Sequence, residues 1–327
     1  MFDGGWMWMV PFGNHVDATN PAWSVGLSYD PARTGWRVDW TPEELFAHVQ
    51  QQYPALAEQF CGATRTGPWQ DAPHTQYSAS EIVGDQYCLL DRAAWDTDPL
   101  FSRGLNNGLE QVAVLAEELI GAFDEGTVNA QRLRYVEQVS RGLAAQQDYT
   151  LHAAYAATRS PVLCSAFARV WLLWSMFSTL HLAHLHRTLG AAPAHQAALR
   201  RSPESGLWFG APQSALQLWS EGLRVCEAVA AGRAGPDSAG RALMGTLRDR
   251  RSVPPLFGFG RLEERHYVLS RTRQVRTLVW ALARAPRDLR TLLFSHLRRK
   301  EVALPQASLA AAGRQVAQVR HSADSAV

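Results

Sequence analysis

Lysine is almost missing from this chain: Lys300 stands alone against 31 arginines among 32 basic residues. Any chemistry that needs a lysine amine has that one candidate, placed in a basic run near the C-terminus. Cysteine is sparse as well. Cys61, Cys88, Cys164 and Cys226 lie far apart with no CxxC pair, which excludes a disulfide scaffold or a zinc ribbon and reads as inert core thiols in a reducing compartment. Met1-Phe2-Asp3 offers no basic stretch ahead of an apolar one, so no secretory signal is expected and the cytoplasm is the expected location. The most apolar run, 166–185, contains Arg169, Ser175, Ser178, His181 and His184, which a membrane span would avoid; it reads as a buried helix. No GxGxxG occurs. Gly258-Phe259-Gly260 follows Pro254-Pro255 and precedes Arg-Leu-Glu, the composition of a loop rather than a phosphate turn.

What is present is ample for a core: 327 residues, 46% hydrophobic and 19% charged. The net charge of +2 hides an asymmetry. From Arg248 to Lys300 there are 14 basic and 4 acidic residues, a local +10, so the remainder carries −8. A cationic C-terminal face follows, whereas the overall balance makes no case for nucleic acid. Arg271, Arg273, Arg276, Arg284, Arg287 and Arg290 read as a solvated helix face, with a docking surface for an acidic carrier protein as the alternative. His181, His184 and His186 have helical spacing but no acidic neighbours, so no metal site is assigned.

Along the chain, 2–12 is aromatic and apolar and predicts a buried strand; 24–29 predicts a second. Thr41-Pro42-Glu43-Glu44 carries a capping box, predicting a helix to about Phe60 with a break near Pro54. A strand is expected over 85–90, then an irregular turn over 91–99. Leu105, Leu109, Val112, Leu115, Leu119, Ile120 and Phe123 form one apolar helical stripe. Beyond 127 the pattern is helical, broken at Ser160-Pro161, Gly190 to Pro193, Gly206 to Pro212, Gly232 to Pro236 and Pro254-Pro255. The expected fold class is α+β, the second half of an α+β domain over 1–125, followed by a mostly helical region over 126–304 and a poorly ordered tail over 305–327. The opening at a core strand predicts an incomplete or mis-started N-terminus.

Several motifs, in order, carry a resemblance. Trp6-Met7-Trp8-Met9-Val10-Pro11 is similar to the WxWxIP motif of flavin-dependent halogenases, with valine for isoleucine. Thr19-Asn20-Pro21, Ser24-Val25-Gly26-Leu27 and Asp30-Pro31 resemble the strand that follows it in members acting on phenols and pyrroles. Gln76-Tyr77-Ser78 and 83–90 resemble the strand leading to the second flavin-contacting turn, and Asp98-Pro99-Leu100-Phe101-Ser102-Arg103-Gly104 resembles the DPLxSxG turn. Arg134-Tyr135-Val136-Glu137, Asp148-Tyr149 and Arg169-Val170-Trp171 continue the order, so the resemblance spans roughly 2–190.

The resemblance implies a fold like the second half of a flavin monooxygenase and a halogenation of aromatic rings in antibiotic biosynthesis, using FAD as FADH2 and chloride or bromide. A flavin reductase would be the partner. Halide would sit at Ser102, Arg103 and Gly104, flavin against Asp91, Asp98, Pro99 and Leu105, and Trp6, Trp8 and Pro11 would stand between flavin and substrate. Phe101 occupies the place of a glutamate found in tryptophan halogenases, pointing to a phenol or pyrrole, free or on a carrier protein. Two departures stand out. Asp91-Arg92-Ala93-Ala94-Trp95 replaces a glycine-bearing turn, and Trp95 is expected to crowd a close backbone approach. The family's lysine lies ahead of WxWxIP, so its role does not transfer to Lys300. A flavin hydroxylase fragment, or a non-catalytic remnant or helper subunit binding substrate or carrier, are the alternative readings. Without the phosphate turn this chain alone is expected to hold FAD poorly.

Overall fold

The computed structural model describes residues 1–72, 76–189 and 212–295. Lys300, the tail after 305, the breaks at 190–193 and most of 206–212, and the side chain of His186 lie outside the described residues.

The N-terminal part is built from short ribbons. Strands β1 (Gly5–Pro11) and β2 (Trp23–Tyr29) pair antiparallel, with Trp6 opposite Ser28 and Trp8 opposite Gly26. Helices α1 (Pro31–Thr34), α2 (Pro42–Gln52) and α3 (Pro54–Gln59) follow. The capping box forms as expected: Thr41 Oγ1 accepts from the Glu44 N–H at 3.2 Å, and Glu44 Oε2 accepts from the Thr41 N–H at 2.8 Å. The helix breaks at Tyr53, ahead of Pro54. Strand β3 (Tyr77–Ser78) pairs with β6 (Trp95–Asp96), and β4 (Val83–Gly84) with β5 (Tyr87–Cys88). Every described sheet therefore has two strands.

Three expectations change here. The segment 2–12 is buried only at its start, at Phe2, Gly4 and Gly5; Trp6 to Met9 are half-covered and Val10 and Phe12 exposed, because a two-stranded ribbon is packed on only one side. The strand expected over 85–90 is instead a hairpin, whose turn holds Gln86 at φ 95. Cys61 is exposed rather than core, whereas Cys226 is buried, its thiol pushed up to about 12 by desolvation.

Among the described residues, six longer helices follow: α4 (Gly104–Asp124), α5 (Arg134–Ala157), α6 (Pro161–Leu189), α7 (Gln213–Ala230), α8 (Pro236–Asp249) and α9 (Arg271–Ala283), with α10 (Arg287–Ser295) closing the described chain. Proline starts α6 and α8, where its missing N–H costs nothing. Helix α6 is the central post, packed by α5, α7, α8 and α10. Phe167, Val170, Leu173, Trp174 and Phe177 face inward, and Trp174 stacks on Trp219 of α7 at 4.9 Å. Gly240 lets α8 reach α6, since a Cβ there would stand 2.5 Å from the Leu163 nitrogen. Over 161–181, α6 is long and apolar enough to cross a membrane, but here that face is the core. Its buried Arg169 donates to the carbonyls of Phe259, Arg261 and Glu264 at 2.6–2.8 Å, tying the 258–264 loop down.

Candidate active site

Trp6 and Trp8 alternate onto one face of β1, with ring centroids 5.2 Å apart. The Trp8 indole lies directly on Gly26, where a Cβ would fall 1.7 Å from the ring. The Trp6 indole N–H donates to Asp98 Oδ1 at 2.9 Å.

That bond leads to the centre of the arrangement. The Asp98 carboxylate, 5% exposed, also accepts from Tyr155 of α5 at 2.8 Å, from the Leu100 N–H at 2.9 Å, and from the Ser28 hydroxyl. Four donors from four segments satisfy it. Burial, more than the carboxylate beside it, holds the Tyr155 hydroxyl above its usual pKa, so it stays protonated and keeps donating. Both oxygens of Asp98 are thus engaged inside the protein. The structure gives this residue the role of anchoring the turn.

The turn is sharp. Ser102 N–H donates to Pro99 O at 2.8 Å, and Phe101 and Ser102 both have positive φ, at 70° and 51°. Left-handed backbone costs a non-glycine residue about 1–2 kcal/mol, and such strain gathers where geometry serves a function. Phe101 offsets it by stacking on Trp171 of α6, centroids 4.4 Å apart and 19° from parallel. Gln147 reaches the Leu100 carbonyl at 3.4 Å from α5.

Helix α4 begins where the turn ends, and no side chain caps it. The N–H groups of Arg103, Gly104, Leu105 and Asn106 find no acceptor among the described residues. They coincide with the positive end of the helix dipole, which suits an anion. Space above Gly104 is open: a Cβ there would meet nothing within 4 Å. The Arg103 guanidinium lies back along α4, 3.7 Å from Glu110 and 3.5 Å from Asn107, so this residue offers the site its amide rather than its head group. Burial pushes the Glu110 carboxyl up to about 8, with Arg103 opposing.

Asp91, Pro99, Ser102, Gly104 and Leu105 are all exposed. Asp91, at φ 50, accommodates the second turn of α4, where a Cβ on Gly108 would come 3.0 Å from its Cγ; its N–H donates to Gln111 at 3.0 Å. Trp95 does not crowd this approach. Its ring turns inward, donates to Ser140 at 3.0 Å and packs with Ile82, Ala94, Val139 and Leu143. Sequence reasoning missed Ser28, Tyr155 and Gln147, which carry no local pattern and meet the turn only through the fold. Trp171 lay in a recognised motif, but its stacking partner was not legible.

Elsewhere, the His181 and His184 rings are 6.4 Å apart, and no group of three or more potential ligands for a metal occurs among the described residues. Arg271, Arg276, Arg284 and Arg287 are exposed with no carboxylate partner among the described residues, while Arg273 pairs with Glu264.

In sequence and fold the chain is similar to flavin-dependent halogenases. It is 33% identical over 295 residues to tetracycline 7-halogenase of Kitasatospora aureofaciens, covering 90% of this chain and 53% of that protein. It is 30% identical over 302 residues to monodechloroaminopyrrolnitrin halogenase PrnC of Pseudomonas fluorescens, covering 89% and 53%. Among solved structures, halogenase PltM matches with a TM-score of 0.71 at 27% identity, covering 80% of this chain and 52% of that one. PltM has also been solved with phloroglucinol and FAD. The chain thus spans about half the length of the relatives it matches. No protein-family model matches it.

Proposed function

We propose that this chain is the C-terminal, halide- and substrate-facing part of a halogenase that acts on a phenol or pyrrole in natural-product biosynthesis. The observation that carries the reading is the strained 98–102 turn delivering four open N–H donors at the start of α4. Reduced FAD with oxygen, when bound, supplies the oxidation of halide. The chain's own residues do the rest. Ser102, with the amides of Arg103 and Gly104, holds chloride or bromide at the positive helix end. Leu105, Pro99 and Asp91 offer an exposed surface for the ring edge of the flavin. Asp98 holds Trp6 in place through one hydrogen bond, so that the Trp6–Trp8 pair separates the halide side from the substrate side and limits water passage. Pro11 ends β1 beyond them.

Phe101 gives the substrate side an apolar ring, already stacked on Trp171, and no carboxylate. An aromatic that supplies its own electron density fits this; free tryptophan does not. The ring arrives free or on an acidic carrier protein, and a cytoplasmic flavin reductase supplies FADH2. One relative is a 1H-pyrrole-2-carbonyl-[peptidyl-carrier protein] chlorinase, 23% identical over 136 residues.

The test is a product assay on this chain completed with a flavin-binding half, with FADH2 regenerated and bromide or chloride present. Halogenated phenol or pyrrole is expected, with little turnover of free tryptophan. Hydroxylated product independent of halide, or efficient chlorination of tryptophan, overturns the reading.

A further inference from the structure

Trp6 and Trp8 share one face of β1, yet the two rings are held by different means. Trp6 is fixed through its indole N–H, which donates to Asp98 Oδ1 at 2.9 Å. Trp8 makes a longer contact, 3.4 Å from its indole N–H to Ser24 Oγ. Its position is set by what stands across the ladder, where its register partner is Gly26. A Cβ on Gly26 would fall 1.7, 2.2 and 2.3 Å from three atoms of the Trp8 ring, the tightest approach at any described glycine. The backbone of Gly26 is ordinary strand without a positive φ, so the path of the chain does not require glycine there. Glycine inside a strand otherwise weakens it and marks a close approach. Here the space a side chain would take is filled by the Trp8 indole.

We propose that Gly26 is a positioning residue for the reaction: its bare backbone seats the Trp8 ring against Trp6, at a centroid separation of 5.2 Å, and so sets how tightly the pair separates halide from substrate. The inference rests on the reading above that the pair stands between those two sides. Carbon atoms in contact settle ~3.5–4.0 Å apart, so a Cβ at position 26 must drive the ring away by about 2 Å. Trp6 does not follow, because Asp98 holds it and is itself held by Tyr155, Ser28 and the Leu100 N–H. The pair therefore opens on its Trp8 side, and water gains a route past it.

The experiment compares the 327-residue chain with Gly26→Ala, Trp8→Ala and the two combined. Two indoles this close couple their transitions and give paired circular-dichroism bands of opposite sign. The parent spectrum minus that of Trp8→Ala isolates these bands from those of the Trp174–Trp219 pair. A displacement of about 2 Å should reduce that difference signal roughly two-fold or more in Gly26→Ala. Leu27→Ala, on the other face of β2, should leave it unchanged. Gly26→Ala should lower the urea midpoint of the parent but not that of Trp8→Ala, where the ring it meets is gone. In the chain completed with a flavin-binding half, Gly26→Ala should turn a smaller share of the FADH2 consumed into halogenated product. The inference falls if the signal persists in Gly26→Ala, if the alanine costs as much stability without the Trp8 ring as with it, or if the share of product is unchanged. Should Gly26→Ala not fold, a folded double variant upholds the inference and an unfolded one overturns it. A completed parent that forms no halogenated product overturns the proposed function instead, and the optical result on the chain alone still decides whether Gly26 seats Trp8.

Discussion

Residues 1–125 and 126–295 satisfy their apolar side chains in different ways. In the helical part, α6 is wrapped on several sides, and one continuous cluster runs from Leu151 to Leu292. In the ribbon part, the buried apolar residues among those described are only Phe2, Val49, Ile82, Ala94, Trp95, Leu100 and Ala122, and Leu100 belongs to the helical core. Each described sheet has two strands, and α4 shows its apolar side to water. Isolated two-stranded ribbons are marginal on their own, so the first region depends on polar anchors where the second depends on packing. The region that holds the candidate site is thus the less self-sufficient one.

Truncation on each side tests that contrast. Leu173→Ala, in the middle of α6, is expected to cost about 2–5 kcal/mol and to lower the melting of the whole chain. Leu109→Ala, on the exposed stripe, should stay within about 0.5 kcal/mol. Similar losses at both positions in urea unfolding would erase the distinction. The next effect concerns the anchor between the regions. Asp98→Ala leaves Trp6, Ser28 and Tyr155 with unmet donors and is expected to cost about 3 kcal/mol. Amide exchange should then quicken in β1 and β2 while α6 stays protected. Uniform quickening would mean that Asp98 belongs to the common core instead.

The same contrast explains what could be read from the sequence. Helix starts were legible because their causes are local: the Thr41–Glu44 box, and the prolines at 161 and 236. The turn over 98–104 was legible as a motif, and the fold confirms a helix starting at Gly104. The direction of the α4 stripe was not, since periodicity shows that a face exists and says nothing of which side the core lies on. Nor were the partners of Asp98, because Trp6, Ser28 and Tyr155 are 92, 70 and 57 residues away. Trp95 was misjudged for a related reason. Substituting a large ring for glycine suggested crowding, but the ring had a pocket on the other side of the backbone.

Glu110 gives a smaller, pH-dependent effect. Its carboxyl, pushed up to about 8 by burial against an opposing Arg103, binds a proton in the folded chain where the unfolded chain is ionised. Stability from this group is therefore full below about pH 4.5 and is lost as pH rises through about 8. Glu110→Gln keeps the shape and removes the titration. It should match the parent near pH 5 and gain about 1–3 kcal/mol over it at pH 9. Parallel stability–pH curves for the two proteins would show that Arg103, despite its 3.7 Å separation, already compensates the charge.

The smallest effect on stability is expected on the helical side, where the charges are exposed and unpaired. Arg284 follows the last turn of α9 and Arg287 opens α10; both face water without a carboxylate partner among the described residues. Reversing them, Arg284→Glu with Arg287→Glu, should change stability by less than about 0.5 kcal/mol, since a glutamate at the C-cap of α9 meets the negative helix end while one at the start of α10 meets the positive end, and the two effects oppose. If an acidic carrier docks here, the same change removes favourable charge pairs and adds repulsive ones, so it should weaken carrier binding while leaving FAD affinity of the completed enzyme unchanged. Exposed pairs are screened over ~8–10 Å at ~0.1–0.15 M salt, so parent binding should fall as salt rises, and the variant should respond less. Fluorescence anisotropy with a labelled acyl carrier protein at low and high salt reads both. Binding that is insensitive to salt and to charge reversal would return these arginines to a solvated face, and would leave a site fed by a free aromatic.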